Sequence, residues 1–409
     1  MISRSIEPIL TADLEAERTA TFAQVRRVTV ERVCADATLA DLKEGWDALQ
    51  MKTGSPNPFL TWGWISAWWR QFGKGRRLEI LTVRNDGELI GIAPFYLETV
   101  RLMGISFRRL SLLGDEGVGS DHLDLISRKG LEETVAASVA RFWRERGFDW
   151  DVVHFRGFAE ASPSLSVFTD ELGEGWVIQS EEEEVCPYLP LDPTWDDYLN
   201  KLSGSMRYTI RRKIRNLEKE AKVELVMLEE AGPGRQGMER LIDLHQKRWN
   251  AQGGSAAFIS ESKIPFHRQT SDYFFEKGIA RLFFLNVNGE AVASLYGFAM
   301  GGKFFYYQAG FDPSWGDRSV GMVLMAKSIQ AAISQGWREF DFLRGPEGYK
   351  AHWTSAQRKI WKVFIYPPRF KSILYRNLSG MKQKAKKTIK GFLPEAWIKK
   401  RQAAGGGSA

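Results

Sequence analysis

Side chains able to do acid–base and anion-binding chemistry crowd one short stretch of this sequence. Residues 341–350 read Asp-Phe-Leu-Arg-Gly-Pro-Glu-Gly-Tyr-Lys. An apolar strand pattern ends where this stretch begins, and ligand crevices of α/β proteins lie at the ends of strands. We interpret the stretch as a candidate ligand site, with a solvated turn as the alternative. Its candidate residues are Asp341, Arg344, Glu347, Tyr349, Lys350 and Trp353.

A second candidate is the loop at 312–321, which runs from an aromatic strand directly into an apolar helix. The first turn of a helix offers free backbone N–H groups and a positive dipole end, both suited to phosphate. Arg318 adds a positive charge, and Gly321 allows a ligand to approach the backbone closely. Loops of this kind are abundant, so an ordinary strand–helix connection is an equally good interpretation.

Isolated basic residues offer weaker candidates. His245 lies on a predicted helix and could act as a general base, because imidazole titrates near neutral pH. A single helical histidine is more often structural. Arg207, Arg211 and Arg215 repeat every four residues and form a stripe that could meet phosphate or an acidic partner, or simply a solvated face. No His or Cys spacing typical of a metal site occurs, so we expect no metal.

The elements that must position these residues occur twice. A hairpin turn at 86–88 is matched at 288–290, and Arg-Gly after a strand at 156–157 is matched at 344–345. The shared order of hairpin, helix and strand predicts two similar lobes of mixed α/β architecture. Four glutamates at 181–184 are interpreted as a solvated segment or as an internal counter-charge.

Composition and charge narrow the class of protein. The 409 residues are 44% hydrophobic, which excludes wholesale disorder, and no apolar run is long enough to span a membrane. The start lacks the apolar core of a secretory signal, and two cysteines are too few for a disulfide framework, so we expect a cytoplasmic protein. The net charge of +7 arises in 369–401, which holds eleven basic residues and one acidic residue among apolar residues spaced three and four apart. This tail predicts a basic amphipathic helix for an anionic membrane surface or a protein partner.

Several motifs together suggest a family. They are Met206-Arg207-Tyr208 with its helix to 215, the segments 244–249, 307–312 and 319–321, and above all 340–345 with the polar residues up to Trp353. On these motifs the stretch 199–366 resembles the CelD-like acetyltransferases linked to bacterial cellulose and exopolysaccharide biosynthesis. That family belongs to the Gcn5-related N-acetyltransferase (GNAT) fold and is similar in build to the FemAB-like aminoacyltransferases.

The resemblance implies a fold and a division of the chain. We expect an α/β protein with two tandem GNAT-like lobes, each a mixed, strongly twisted sheet flanked by helices, and a basic helical tail. The expected segments are a poorly ordered lead-in (1–27), a degenerate lobe (28–192), an acyltransferase lobe (193–368), the tail (369–401) and a flexible end (402–409).

The resemblance also implies roles for residues. Arg318 and Gly321 match the first two positions of the GNAT pyrophosphate pattern, whereas Val323 departs from its third. We expect acetyl-CoA, or another acyl-CoA, as donor, with its thioester held near Gln308 and Gly310. Asp341, Glu347 or His245 would deprotonate an amine or hydroxyl of a saccharide or cell-envelope precursor. The residues expected to bind an anionic acceptor are Arg344, Tyr349, Lys350, Trp353, Arg207 and Arg211.

Two alternatives remain open. A FemAB-like enzyme would take aminoacyl-tRNA as donor, and the arginine stripe would suit that nucleic acid. A non-catalytic scaffold of the same fold would instead dock on a membrane-bound polysaccharide synthase through the tail.

Overall fold

The computed structural model describes residues 27–250, 263–345 and 347–392. Its helices are α1 (Asp36–Asp41), α2 (Lys43–Lys52), α3 (Trp62–Phe72), α4 (Glu132–Arg146), α5 (Ser164–Leu172), α6 (Trp195–Lys201), α7 (Gly204–Glu220), α8 (Ala231–Asn250), α9 (Lys263–Glu276), α10 (Val320–Ser334) and α11 (Phe370–Phe392). Its strands are β1 (Val28–Val33), β2 (Arg77–Leu78), β3 (Ile80–Asn85), β4 (Glu88–Ala93), β5 (Phe95–Leu102), β6 (Ile105–Leu112), β7 (Ile126–Ser127), β8 (Val152–Ala159), β9 (Val177–Pro190), β10 (Val223–Leu228), β11 (Ala280–Val287), β12 (Glu290–Met300), β13 (Lys303–Phe311), β14 (Glu339–Asp341) and β15 (Gln357–Tyr366).

These strands form two sheets. The smaller has the order β1-β3-β4-β7, and the larger has eleven strands in the order β10-β11-β12-β13-β14-β9-β15-β8-β6-β5-β2. In the larger sheet β9 pairs with both β14 and β15, and β15 pairs with β8. The expected boundary near 192 therefore separates two segments whose strands share one continuous sheet.

The repeat read from the sequence is present in three dimensions. Each half contains a tight hairpin, β3–β4 and β11–β12, whose turn places Asp86 or Asn288 in the left-handed region that short polar side chains tolerate. Each half also contains one parallel pair joined across a helix: β6 with β8 across α4, and β13 with β14 across α10. Parallel neighbours require such a crossover, so the two helices occupy equivalent positions.

Local sequence explains where several helices begin. Thr61 accepts a hydrogen bond from the backbone N–H of Trp64 at the start of α3, and Thr194 accepts one from Asp197 at the start of α6. Both are ordinary side-chain N-caps. The helix that carries Arg207 is capped by Ser203, whose hydroxyl accepts from Met206.

The main hydrophobic core joins the two halves. Trp64 on α3 packs edge-on against Phe266 and in a stack with Phe274, both on α9. Gly63 lies so close to Tyr273 that a Cβ would stand 2.1 Å from the ring. This packing seats α9 of the second half directly on α3 of the first, so the halves form one body.

The structure describes only part of the two chain ends predicted from the sequence. The predicted basic tail forms α11 as far as Phe392, whereas most of the lead-in and the end at 402–409 lie outside the described residues. Within the described part of the chain, no helix combines the length and apolar character needed to cross a bilayer.

Candidate functional site

The geometry of β13 and β14 defines the centre of the candidate site. The two strands run parallel through only three residue pairs, and Phe305 opposite Asp341 is the last of them. A bulge then shifts the register of β13 against β12 between Tyr296 and Gly297. Beyond this point β14 ends while β13 continues to Phe311.

Alternation along these strands separates two faces. Phe304 and Phe340 belong to the core that packs beneath α10, including Val323 and Leu324. The intervening residues Lys303, Phe305 and Glu339 instead line a cavity on the opposite face. The end of β14 therefore lies between a face covered by α10 and a face that opens into a cavity.

This junction cavity has a volume of about 1340 Å³ and is lined by residues from both halves. The first half contributes the start of α4, the end of β8 and the loop before β7, and the second half contributes β13, β14 and β15. Its lining includes His122, Asp124, Lys303, Phe305, Glu339 and Arg358. Pockets for small ligands commonly span about 300–1,000 Å³, so this cavity has room for a ligand larger than a monosaccharide.

A histidine and a buried aspartate meet at the wall of the junction cavity. Nε2 of His122 lies 3.1 Å from Oδ2 of Asp341. The aspartate is fully buried, whereas the imidazole keeps 13% of its side chain exposed. His122 itself adopts a left-handed backbone conformation (φ 56°), which turns the loop after β6 toward β14.

The surroundings of Asp341 keep its carboxylate ionised. Burial alone raises its pKa, but His122, Arg358 and the backbone N–H of Leu343 outweigh burial and hold the pKa below its usual value. The Leu343 N–H donates to Oδ1 at 2.8 Å, and Nη1 of Arg358 lies 3.9 Å from Oδ2. An ionised carboxylate can only accept, so Nε2 of His122 donates to Oδ2 of Asp341.

A second carboxyl group shares the cavity wall. Burial raises the pKa of Asp124 to about 6, against the hydrogen bonds that the group receives. Its Oδ1 accepts from the backbone N–H of Leu125 and from the hydroxyl of Ser164. His122 and Asp124 are two residues apart and both line the cavity, which therefore places an imidazole beside a carboxyl group of raised pKa.

The N-terminus of α10 lies on the opposite face of the sheet from the junction cavity and is not capped by a side chain. Ser319 precedes the helix in a left-handed conformation (φ 56°) and makes no side-chain cap. Gly321 is exposed, and a Cβ there would meet no atom within 4 Å. Arg318 lies over the Trp315 ring and pairs with Glu220. The uncapped N–H groups and the nearby guanidinium fit a phosphate group.

Two predicted acceptor-binding residues are tied up inside the protein. Arg344 forms an ion pair with the buried carboxylate of Asp121, which also accepts from the Arg344 backbone N–H at 2.7 Å. Lys350 is buried, donates to the carbonyls of Leu343 and Arg344, and pairs with Glu347. Arg344 holds the loop after β14 against the first half, and Lys350 binds groups within that loop, so the geometry favours a scaffolding role for both cations.

The predicted thioester-binding cluster is also packed. His245 is fully buried, burial lowers its pKa to about 4, and the side chain of Gln308 hydrogen-bonds it. A Cβ on Gly310 would stand 2.4 Å from the backbone nitrogen of His245. Glycine at 310 therefore lets α8 approach β13, and a buried neutral imidazole at 245 is poorly placed as a base for an acceptor in the junction cavity.

The remaining predicted residues are spread around the loop and α7. Trp353 is buried, and its carbonyl accepts from the hydroxyl of Tyr198 at 2.9 Å. Tyr349 is partly exposed and hydrogen-bonded to the hydroxyl of Tyr306. The carboxylate of Glu347 is about half exposed.

Arg207 and Arg211 contact α6 and lie apart from the Asp341 site. Arg207 donates to Asn200, and Arg211 pairs with the exposed Asp196. The two arginines thus brace α6 against α7 in this structure.

Sequence reasoning identified Asp341 but missed its partner. His122 follows a Gly-rich loop and belongs to the polar run Ser-Asp-His-Leu-Asp at 120–124. The signal available in the sequence was the alternation of two polar residues, His122 and Asp124, with the apolar Leu123 between them. Nothing in the sequence indicates that this run, 219 residues away, contacts Asp341.

Comparisons with known proteins agree with this architecture. Residues 204–351 match the family model described as an acetyltransferase (GNAT) domain. The crystal structure of FemX is similar with a TM-score of 0.56 at 11% identity, over 85% of this chain and 99% of that one. A conserved protein of unknown function from Bacteroides thetaiotaomicron VPI-5482 has a TM-score of 0.49 at 14% identity, over 82% of this chain and 100% of that one.

A third similar structure is the C-terminal domain of a putative lysylphosphatidylglycerol synthetase from Agrobacterium fabrum. Its TM-score is 0.48 at 10% identity, over 84% of this chain and 96% of that one. A search of curated protein sequences finds no match. The predicted fold class, a mixed α/β protein with GNAT-like lobes, is confirmed, and the family match lies in the second half of the chain.

Proposed function

We propose that this protein transfers an acyl group from a thioester donor to an amine or hydroxyl acceptor held in the junction cavity. The observation that carries the proposal is the pair His122–Asp341 at the last residue where β13 and β14 pair. The imidazole of His122 lines the junction cavity there, beside the point where β13 and β14 stop pairing.

The donor would bind on the α10 face. The open N-terminus of α10, with Gly321 exposed and Arg318 beside it, supports a pyrophosphate-bearing donor, for which acetyl-CoA is our first choice. Its acyl group would then pass the point where β13 and β14 stop pairing and reach the cavity side. Aminoacyl-tRNA is the alternative donor, favoured by the resemblance to FemAB-like enzymes and by the basic side chains on α7.

The chemistry follows from the dyad. The acceptor nitrogen or oxygen forms a bond to the thioester carbonyl carbon while its proton passes to Nδ1 of His122. The carbon–sulfur bond breaks, the thiolate leaves and takes a proton from solvent, and the imidazolium of His122 returns its proton to solvent. Asp341 stabilises the imidazolium that forms and fixes the ring, which is how a buried carboxylate assists a histidine base.

The acceptor would be a saccharide or another polar cell-envelope precursor. The size of the cavity suits a ligand of several rings, and its wall mixes carboxylates with the cations of Lys303 and Arg358. Such a wall offers donors and acceptors to hydroxyl-rich molecules. A role in cellulose or exopolysaccharide biosynthesis on the cytoplasmic side follows from the CelD-like resemblance and belongs to this proposal.

Donor binding is the first test. Calorimetry of the full chain with acetyl-CoA should show saturable binding. The substitution Arg318→Gln should weaken this binding. Lys327→Gln, whose ion pair with Glu218 lies further along α10, serves as a matched control and should leave affinity unchanged. If acetyl-CoA fails to bind and aminoacyl-tRNA binds, the alternative donor replaces it.

Turnover is the second test. Release of thiol from acetyl-CoA would be followed in the presence of amino sugars and nucleotide sugars, and the product identified by mass. If neither donor binds and no acceptor accelerates thiol release, the transferase proposal is wrong and a non-catalytic scaffold remains.

A further inference from the structure

In residues 370–382, where the structure describes the side chains, helix α11 packs on the protein along one side. Ser372 and Tyr375 are buried, and Tyr375 packs edge-on against Phe107 at 5.1 Å. Leu374 and Leu378 pack partly against the same small core. These contacts place the inward face of the helix on β5 and β15 and fix its orientation.

The outward face of α11 exposes large apolar side chains to solvent. Phe370 is 79% exposed, Ile373 is 47% exposed and Met381 is 60% exposed. These residues and Asn377 are spaced three or four apart, so they line up as one stripe along the helix. Large apolar side chains that are exposed together on one stripe indicate a surface that contacts an apolar partner.

Basic side chains flank this exposed stripe. Arg369, Lys371, Arg376 and Lys382 lie on the same helix or at its start, and no acidic residue occurs between 369 and 382. The sequence stays basic beyond them, with eleven basic residues and one acidic residue in 369–401. The rest of the chain has more acidic than basic residues, so the net positive charge of the protein arises in this segment.

We propose that α11 docks the protein onto an anionic lipid bilayer, with Phe370, Ile373 and Met381 inserted at the headgroup boundary. A helix with an apolar stripe flanked by lysine and arginine has the geometry of an interfacial membrane helix. Charge complementarity selects this occupant, because a second copy of the chain would bring the same cations face to face. The inference is independent of the proposed transferase activity.

Sedimentation with vesicles tests the proposal on the full chain. Vesicles of phosphatidylcholine mixed with phosphatidylglycerol should carry the protein down, and phosphatidylcholine vesicles should carry down much less. Raising the salt concentration should weaken binding to the anionic vesicles, because salt screens exposed charges.

Two variants separate the apolar and ionic contributions. The double variant Phe370→Ser/Ile373→Ser should weaken binding to the anionic vesicles about tenfold or more, because two apolar side chains no longer leave water. Lys371→Ser/Lys382→Ser should weaken it roughly fivefold for each cation removed. Asn377→Ser changes the same stripe without altering charge or apolar area and should bind as the wild type does.

Several outcomes would overturn the proposal. They are failure of the wild type to sediment with anionic vesicles, equal binding to both vesicle types, and equal binding by the wild type and both double variants. Concentration-dependent self-association that the Phe370→Ser/Ile373→Ser change abolishes, without vesicle binding, would assign the stripe to a second copy. Circular dichroism and thermal melting of each variant show whether α11 and the fold are intact.

Discussion

The buried carboxylate of Asp341 accepts a hydrogen bond from His122 at 3.1 Å, although the two residues are 219 positions apart in the chain. One comes from a loop of the first half and the other from the end of β14 in the second. Because the two halves share one sheet and one core, this contact is held by the rigid part of the protein. Both lobes therefore contribute to the candidate active site.

The first prediction concerns this pair. His122→Gln and Asp341→Asn should each slow acyl transfer roughly 100-fold or more, which is what loss of a general base or of its orienting group costs. The double variant should be little slower than the slower single variant, since residues that act as one unit are not additive. The measurement is the rate of thiol release at saturating donor.

The exposed His352 provides the matched control. His352→Gln changes a histidine in the loop after β14 and should leave the rate unchanged. Additive effects of His122→Gln and Asp341→Asn, or rates equal to the wild type, would contradict the assignment.

The second prediction concerns the pH dependence of stability. Asp124 has a pKa of about 6 in the fold, whereas an unfolded aspartate titrates near 4. Between these values the folded protein binds the proton more tightly, so this group makes stability fall as pH rises from about 4 to 6, by at most about 1.4 kcal/mol per unit. Asp124→Asn removes that loss. The free energy of unfolding of the variant minus that of the wild type should therefore rise by about 2–3 kcal/mol from pH 4 to pH 7.

Urea unfolding of both proteins at the two pH values measures this difference. Asp170→Asn, an exposed position on the same cavity wall, shows whether any charge change near the cavity has the same effect. A difference between Asp124→Asn and the wild type that stays constant with pH would contradict the prediction.

The third prediction concerns the ion pair between the halves. Arg344→Ala leaves the carboxylate of Asp121 buried without its main partner and should lower the free energy of unfolding by about 3–5 kcal/mol. Adding Asp121→Ala should restore part of the loss. Arg268→Ala breaks an exposed pair with Glu239 and should cost less than about 1 kcal/mol. Similar losses from Arg344→Ala and Arg268→Ala would show that the interior pair has no special role.

The fourth prediction separates two glycines that the sequence placed in one donor-binding group. Gly310→Ala forces a methyl group into the backbone of α8 and should destabilise the protein by about 1–3 kcal/mol or more. Gly321→Ala meets open space on a helix and should leave stability unchanged or raise it by up to about 1 kcal/mol, while weakening acetyl-CoA binding at the α10 N-terminus. Thermal melts and calorimetry on both variants give the comparison, and loss of stability at Gly321 alone would reverse the two roles.

Much of the fold could be predicted because its signals are local. The hairpin turns at 86–88 and 288–290, and the N-caps Thr61 and Thr194, depend on residues within a few positions of each other. Strand β9 could not be predicted from the sequence, because four consecutive glutamates at 181–184 interrupt the alternation of apolar and polar residues that is typical of a strand. The structure shows that they serve as internal counter-charges: Glu183 binds Arg156, and Glu182 binds Lys359 on β15.

The sequence by itself determined the two-lobed α/β architecture, the basic amphipathic tail and the chemical richness of the segment after β14. Periodicity, turn residues and charge distribution act over short distances, and they can be read along the chain. Only the tertiary structure decided which polar groups face the cavity. It turned Arg344, Lys350 and His245 inward because buried partners satisfy them, and it brought His122 to Asp341 because strand pairing closes the chain over long distances.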